Sequence, residues 1–213
     1  MVIVDDEALI RSGFELILSA AADIDVVATA DGVHAIDAIR EHQPDVVLLD
    51  VRMPGKDGLA VLAELQQMEE PPTVAMLTTF DVDEYVAAAL RLGASGFLLK
   101  DTDPELLPHM VRTLASGGLV LSDKVSPRVI AGYLDGRQDD EAIDRVKALS
   151  DRESHVLRLL ATGLSNGEVA AVLYTSVGTV KDQVSSILSK LGVKSRVEAA
   201  IIAQRAGMLD GDQ

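Results

Sequence analysis

The sequence predicts a doubly wound α/β domain with a five-stranded parallel sheet, followed by a small all-α domain of four helices. Short apolar runs alternate with amphipathic stretches five times over residues 1–115, and runs such as Val46–Leu49 are apolar at every position. Residues 148–209 instead contain four helix-start signals. Strands that are apolar throughout are buried on both faces, which is typical of a parallel sheet covered by helices.

Each predicted strand is followed by a predicted helix. The strands are Val2–Val4, Val26–Thr29, Val46–Leu49, Thr73–Leu77 and Gly96–Leu99. The helices are Leu9–Leu18, Val33–Ile39, Leu59–Leu65, Val82–Leu92 and Leu106–Leu114. Five such β/α repeats are enough for an open sheet with helices on both faces.

The composition is that of a packed globular protein. Of 213 residues, 48% are hydrophobic and 25% are charged, and there is no cysteine, which excludes a secreted fold held by disulfides. No apolar run reaches the roughly 18 residues that a membrane span requires. The N-terminus is acidic where a signal peptide is basic. We therefore expect a cytoplasmic protein with no membrane partner.

The net charge of −15 is unevenly distributed along the chain. Residues 1–124 contain 8 basic and 22 acidic side chains, whereas residues 145–209 contain 9 basic and 5 acidic ones. This asymmetry indicates two domains with different partners. We predict a first domain over residues 1–118, a linker over 119–147 with a helix around Arg128–Leu134, and a helical domain over 148–209.

Polar residues follow four of the predicted strands. Asp5 and Asp6 follow the first strand, Asp50 the third, Thr78 the fourth and Lys100 the fifth. Ligands of open α/β sheets bind at this edge, and three converging carboxylates repel one another unless a hard cation such as Mg2+ lies among them. The hydroxyl and the ammonium supply donors for a phosphoryl group. The pattern predicts a magnesium-dependent aspartyl phosphate site.

Four motifs surround these strand ends and carry a family resemblance. They are Val4-Asp5-Asp6-Glu7, Leu48-Leu49-Asp50-Val51-Arg52-Met53-Pro54 with Asp57-Gly58, Leu77-Thr78-Thr79-Phe80, and Gly96-Phe97-Leu98-Leu99-Lys100-Asp101. In order, spacing and strand position they resemble the receiver domain of two-component response regulators, which has a flavodoxin-like fold. The resemblance covers residues 1–118.

The resemblance implies that Asp50 accepts a phosphoryl group from a cognate histidine kinase, with Mg2+ as cofactor. It also implies a metal site formed by Asp5, Asp6, Asp50 and the backbone carbonyl of Arg52. In that site Asp6 binds the metal directly and Asp5 binds it through water.

Three further residues have implied roles at this site. Thr78 and Phe97 are the switch pair: Thr78 moves toward the phosphoryl oxygens and Phe97 turns inward. Lys100 pairs with the phosphoryl charge. The chain has only four residues before Asp5, fewer than receiver domains usually have, so the native N-terminus is expected to be longer.

The last part of the chain predicts a helix-turn-helix. Three Ser-x-x-Glu capping boxes start at Ser150, Ser165 and Ser195, and a fourth helix starts at Ser176. The first helix of the motif is predicted at Asn166–Leu173, the turn at Tyr174-Thr175 and the second helix at Val177–Leu191. In such motifs the second helix enters the major groove of DNA.

This region resembles a LuxR-type helix-turn-helix. The resemblance rests on Leu149-Ser150-Asp151-Arg152-Glu153, Gly163-Leu164-Ser165-Asn166, Thr179-Val180-Lys181 and Lys190-Leu191-Gly192-Val193. With the receiver, the whole chain is similar to NarL/FixJ-class regulators, which implies double-stranded DNA as a partner and homodimers on activation. The implied DNA-binding residues are Thr179, Val180, Lys181, Gln183, Ser185, Lys190, Lys194 and Arg196.

The sequence of the predicted DNA-binding surface departs from the family in one place. Gln183 stands where the family commonly has His, and Asp182 adds a negative charge beside Lys181, so base preference stays open.

Because the first domain is strongly acidic, it is expected to hold the basic recognition surface in cis.

Other functions remain open from the residues alone. A phosphatase or phosphotransferase of the haloacid-dehalogenase kind also uses an Asp nucleophile, but it typically has a second Asp two residues later, where this chain has Arg52. No enzyme activity is therefore expected. A flavodoxin-like FMN binder needs phosphate-binding amides after the first strand, where this chain is acidic. The helical domain could also bind only protein.

Overall fold

The computed structural model describes residues 1–79, 83–121 and 140–209. Its central feature is a parallel sheet with strand order β2-β1-β3-β4-β5-β6. The strands are β1 (Val2–Val4), β2 (Ala28–Ala30), β3 (Val46–Asp50), β4 (Thr73–Thr78), β5 (Gly96–Leu99) and β6 (Val120–Leu121). The order reverses between β1 and β3, so the two strands that end in aspartates are neighbours at the switch point, where open α/β sheets bind ligands.

The fold class predicted from the sequence is confirmed, but the sheet has six strands rather than five. Val120 and Leu121 pair in parallel with Gly96 and Phe97 of β5. Gly117, with φ of +74°, turns the chain after the last helix of the sheet domain so that it returns to the sheet edge. A two-residue strand has too short an apolar run to be distinguished from a linker by periodicity.

Five helices cover the two faces of the sheet. They are α1 (Ala8–Ser19), α2 (Ala35–His42), α3 (Gly58–Leu65), α4 (Asp83–Arg91) and α5 (Leu107–Ala115). Successive residues of β3 alternate between the faces, because Leu48 packs with the α1 and α5 side and Leu49 with the α2, α3 and α4 side. Burial on both faces explains why this strand is apolar at every position.

The four helices predicted over residues 148–209 are confirmed, and among the described residues a further helix precedes them. The five helices are α6 (Asp140–Lys147), α7 (Asp151–Ala161), α8 (Asn166–Val172), α9 (Val177–Leu191) and α10 (Arg196–Arg205). The additional helix, α6, lies in the stretch predicted as linker, and its Ala142 is buried in the helical core. Most residues of α6 are polar, so periodicity does not predict the few apolar residues that pack in this core. The helix predicted around Arg128–Leu134 lies outside the described residues.

Serine caps begin four of these helices. Ser150 and Ser165 form complete capping boxes with Glu153 and Glu168. Ser195 accepts a hydrogen bond from the Glu198 amide, but the Glu198 side chain accepts from the amide of Lys194 instead of completing the box. Each cap satisfies backbone amides that lack a partner at a helix start.

The length and apolar content of a helix decide whether it could span a membrane. Within residues 1–79, 83–121 and 140–209, no helix is both long enough and apolar enough to span a bilayer.

Candidate functional site

Four strands deliver polar side chains to one cavity at the carboxyl edge of the sheet. Asp50 ends β3 and Thr78 ends β4, Lys100 directly follows β5, and Asp6 is the second residue after β1. These four residues line a cavity of about 210 Å³. The structure therefore brings together the acidic, hydroxyl and ammonium groups that the sequence predicts at the strand ends.

Lys100 is the central cation of this site. Its Nζ lies 2.8 Å from Asp5 Oδ2, 3.0 Å from Asp50 Oδ2 and 3.2 Å from Glu7 Oε1. Burial lowers the pKa of Lys100, but its hydrogen bonds to Asp5 and Asp50 outweigh that effect and raise the pKa above its ordinary value. Lys100 thus stays charged and partly neutralises the carboxylates around it.

The environment of Asp50 disfavours its ionised carboxylate. Burial raises the pKa of Asp50 to about 6, the hydrogen bond from Lys100 lowers it, and the charge of Asp5 raises it again. One ammonium therefore does not fully compensate for the removal of this carboxylate from water. An additional cation at the site would favour the ionised form of Asp50.

Asp5, Asp6 and Asp50 are placed as a metal-binding group. Each offers a carboxylate oxygen, and these oxygens lie within 4.8 Å of one another. Arg52 lines the same cavity as Asp6 and Asp50, and a hydrogen bond from the Arg52 backbone lowers the pKa of Asp50. Oxygen donors of this kind suit Mg2+, which takes one or two carboxylates and keeps several waters. The residues present therefore fit a magnesium ion.

Two features of the site are absent from the sequence prediction. Glu7 pairs with Lys100 and lines the cavity, and the only signal for this role is its place directly after Asp5-Asp6. The guanidinium of Arg52 lies 5.1 Å from the ring centre of Tyr85 in α4. This contact connects the loop after Asp50 to a helix on the sheet face.

The predicted switch residues occupy different environments. Thr78 is buried, and its hydroxyl donates a hydrogen bond of 2.9 Å to the carbonyl of Thr79. Phe97 is fully buried in the core on the α2, α3 and α4 side of the sheet, and it does not line the cavity. Thr78 is therefore at the site, whereas Phe97 already lies inside the domain.

The helix-turn-helix consists of α8 and α9, joined by Leu173–Ser176 with Tyr174 at φ of +51°. Helix α9 has the predicted bounds. Lys181 and Ser185 of α9 are exposed, and so is Lys194 in the turn that follows it. These three residues remain available to a nucleic acid.

Burial corrects two of the predicted DNA contacts. Val180 is fully buried in the helical core and cannot face a groove. Arg196 is also buried, and its Nη2 donates a hydrogen bond of 2.6 Å to the carbonyl of Leu164. Burial lowers the pKa of Arg196 to about 10. The family resemblance alone implies both contacts, and packing turns both side chains inward.

The other predicted contacts are hydrogen-bonded or partly buried within the domain. Thr179 hydrogen-bonds to Ser176 at the start of α9, and the Oε1 atom of Gln183 is inaccessible to solvent. The Nζ of Lys190 lies 2.7 Å from Glu153. Mainly because of this hydrogen bond, and then that of the Ser150 amide, the pKa of Glu153 falls to about 2. Lys190 thus stabilises the packing of α7 on α9.

Comparison with known proteins agrees with this architecture in both halves of the chain. The family model for response regulator receiver domains matches residues 1–112, and the model for bacterial regulatory proteins of the luxR family matches residues 147–203. The chain belongs to the response regulators with a LuxR-type DNA-binding domain. The two matches together cover most of the chain, and the receiver domain precedes the DNA-binding domain.

Relatives of this response regulator include transcriptional regulators. It is 37% identical to the transcriptional regulatory protein LnrK of Bacillus subtilis over 98% of this chain and 97% of that protein. It is 37% identical to the oxygen regulatory protein NreC of Staphylococcus epidermidis over 99% of each chain.

Solved structures of other response regulators are similar over both domains. The response regulator ChrA of a heme-sensing two-component system has a TM-score of 0.53 and 35% identity, covering 96% of this chain and 95% of that chain. A structure of RcsB dimers bound to DNA has a TM-score of 0.55 and 26% identity, covering 94% of each chain.

The two domains of this response regulator contact each other. Val197 of α10 is buried in the receiver core, and Ile201 packs against the same cluster. On the amino-terminal edge of the sheet, Lys181 lines a cleft of about 680 Å³ together with Asp45, Glu69 and Glu70. One flank of the recognition helix α9 therefore lies beside an acidic edge of the receiver.

Proposed function

We propose that Asp50 accepts a phosphoryl group from a histidine kinase and that this modification controls binding of double-stranded DNA by the C-terminal helices. The observation that carries the proposal is that carboxylate oxygens of Asp5, Asp6 and Asp50 lie within 4.8 Å of one another, with Lys100 bonded to Asp5 and Asp50. Asp50 alone of the three carboxylates ends a central strand of the sheet.

The proposed transfer is a displacement at phosphorus. One carboxylate oxygen of Asp50 forms the new O–P bond, the P–N bond of the kinase phosphohistidine breaks, and the imidazole nitrogen keeps the electron pair and takes up a proton. Asp5, Asp6, Asp50 and the carbonyl of Arg52 would hold Mg2+. When bound, Mg2+ supplies positive charge that reduces repulsion between the carboxylates and the incoming group.

Lys100 and Thr78 would then hold the phosphorylated state. Lys100 is already within 3.0 Å of Asp50 Oδ2 and can follow the new negative charge. Thr78 lines the same cavity, and its hydroxyl can exchange the Thr79 carbonyl for a phosphoryl oxygen. Exchange of that bond would couple phosphorylation to the packing around Phe97 on β5, with Phe97 as the second switch residue.

We assign the receiver to residues 1–118, the linker to 119–147 and the DNA-binding domain to 148–209. Because Ala142 packs in the helical core, α6 acts with the DNA-binding domain even though it lies within the linker range. We propose no independent enzyme activity, since Arg52 occupies the place where a haloacid-dehalogenase-type acid would stand. The protein would act in the cytoplasm, where its kinase and DNA partners are found.

The DNA-binding form is proposed to be a homodimer on activation. Lys181, Ser185 and Lys194 are exposed candidates for DNA contact, whereas the equally exposed Lys190 is bonded to Glu153. Two helix-turn-helix units would read half-sites about 10 bp apart on an inverted repeat. The structure of RcsB dimers bound to DNA supports a dimeric DNA-bound form for a protein with similar domains.

The unphosphorylated receiver is proposed to inhibit DNA binding in cis. Lys181 lines the same cleft as the acidic residues Asp45, Glu69 and Glu70, so this edge of the receiver would compete with phosphates for the lysine. Phosphorylation would release the helical domain through a change in receiver packing, because a charge buried at the opposite sheet edge acts too weakly by repulsion alone.

Mass spectrometry tests the chemical part of the proposal. The full chain is incubated with a small phosphodonor, with and without Mg2+, and the adduct is mapped. We expect one phosphoryl group on Asp50 that depends on Mg2+ and is absent from Asp50→Asn. Labelling that survives either Asp50→Asn or chelation of Mg2+ contradicts the mechanism.

A further inference from the structure

The recognition helix α9 presents a narrow outward stripe of short side chains around one carboxylate. Val180, Ile187 and Leu191 are its buried residues. The residues on the roughly opposite side, all exposed, are Gly178, Asp182, Ser185 and Ser189. At 100° per residue these four fall on one face, and Asp182 is the only charged member.

The neighbours of Asp182 leave room for a close approach. Gly178, one turn before it, has no side chain, and Ser185 and Ser189 end in a single hydroxyl. A short Asp side chain can reach a base edge only if the helix backbone lies deep in the major groove. A stripe of small residues on both sides allows that depth, whereas long side chains would hold the helix away.

The charge of Asp182 restricts what it can contact. A carboxylate is repelled by phosphates, so it weakens binding unless it meets a donor. Among the described residues Asp182 forms no ion pair, so no cation of the same domain cancels its charge. In the major groove the N4-amino group of cytosine is the donor that Asp and Glu accept from.

The residues next to Asp182 favour it as the residue that contacts a base edge. Gln183, the next residue along α9, also has a side-chain acceptor, but its Oε1 atom is buried. Lys181 is exposed and one residue away, where it can bind a phosphate and offset the repulsion of the carboxylate. Asp182 is also the sixth residue of α9, within the N-terminal half that contacts base edges in helix-turn-helix proteins.

We propose that Asp182 is a specificity-determining residue that accepts a hydrogen bond from the N4-amino group of a cytosine in each half-site. This inference rests on the proposed function, since it requires that α9 binds DNA. Removal of the carboxylate changes which base is preferred at one position, rather than the affinity for all sequences.

Selection from a randomised duplex library tests this assignment. The full chain, treated with a small phosphodonor and Mg2+, is used as wild type and as Asp182→Asn, Asp182→Ala and Asp151→Asn. Asp151 is an exposed acid of α7 away from the stripe, so its variant controls for loss of one negative charge.

We expect the wild type and Asp151→Asn to select a C·G pair at one position of each half-site, by roughly tenfold over other pairs. Asp182→Ala loses that preference. Asp182→Asn shifts it toward adenine, because an amide matches the N6 and N7 edge.

Two results would overturn the inference in different ways. If both Asp182 variants bind every sequence more tightly with an unchanged selection profile, the carboxylate only repels phosphate and reads no base. If the wild type retains no duplex even at low salt, the proposed DNA-binding function itself fails.

Discussion

The backbone amide of Asn166 donates a hydrogen bond of 3.1 Å to the carbonyl of Ser116, which joins the first turn of α8 to the end of receiver helix α5. The Asn166 side chain is buried against Gly117, and a Cβ added at Gly117 would collide with its Nδ2 atom. This contact holds the helix-turn-helix against the receiver at a point with no space for a larger residue.

Gly117→Ala should therefore weaken the domain contact and raise the DNA affinity of the unphosphorylated full chain. The variant combines a clash with Asn166 and strain at positive φ. Gly163→Ala is the matched control, because Gly163 also has positive φ (+93°) but no neighbour within 4 Å. DNA binding at fixed salt is the measurement. Equal behaviour of the two variants would show that the contact does not restrain DNA binding.

Removal of the Lys100 ammonium at the proposed phosphorylation site should separate phosphorylation of Asp50 from the change in DNA affinity. Lys100→Ala should still be phosphorylated on Asp50, but phosphorylation should no longer raise DNA affinity, because Lys100 would hold the phosphorylated loop. Thr78→Ala should behave similarly. Adduct mass and DNA affinity are measured on the same samples. If both variants respond to phosphorylation as the wild type does, these residues do not carry the signal.

The salt dependence of DNA binding should identify a phosphate contact. Lys181→Ala should lower the slope of log affinity against log salt by about one unit if Lys181 binds one phosphate. Lys190→Ala should change the slope less, because Lys190 is bonded to Glu153 within the domain. Titrations of the phosphorylated chain at several salt concentrations provide the slopes. A larger change for Lys190→Ala would reverse the assignment of the two lysines.

Glu153 should make the stability of the helical domain depend on pH. Its carboxylate bonds Lys190, the Ser150 amide and Ser186, which lowers its pKa to about 2. Because the pKa is lowered by folding, the stabilisation is complete above its ordinary value near 4.5 and is lost as pH falls toward 2.

Glu153→Gln should thus reduce the free energy of unfolding by ~1 kcal/mol or more at neutral pH and by less near pH 3. Amide hydrogen exchange in α7 and α9, relative to wild type at the same pH, measures the difference. Glu168→Gln is the control, since Glu168 holds the same place in its own box but has no lysine partner in the described part of the chain. An effect of Glu153→Gln that does not vary with pH would exclude the ionised carboxylate as its source.

The sheet and the cluster of acidic, hydroxyl and ammonium groups at its carboxyl edge could be predicted because they depend on local patterns. Residues Val46–Leu49 are apolar because both sheet faces are covered, and Asp50 directly follows that run. Helix α9 could be placed from the Ser176 cap to the left-handed Gly192 that ends it. In each case a few adjacent residues determine the local structure.

The remaining features depend on contacts between distant parts of the chain. A charged residue at a helix start is usually exposed, so the sequence gives no sign that Arg196 is buried with Leu164 as its acceptor. The pairing of Val120 with Gly96 depends on where the chain returns to the sheet. The contact of Asn166 with Ser116 depends on which domain surfaces meet, and periodicity within either domain does not report that choice.

The DNA affinity of the full chain before and after phosphorylation tests the central claim most directly. Wild type and Asp50→Asn are treated with a small phosphodonor and Mg2+ at matched salt, and binding to a selected duplex is measured. We predict that treatment raises the affinity of the wild type roughly tenfold, as expected for allosteric coupling, and leaves Asp50→Asn unchanged. An equal response of the two proteins, or none in the wild type once Asp50 is modified, would contradict control of DNA binding through Asp50.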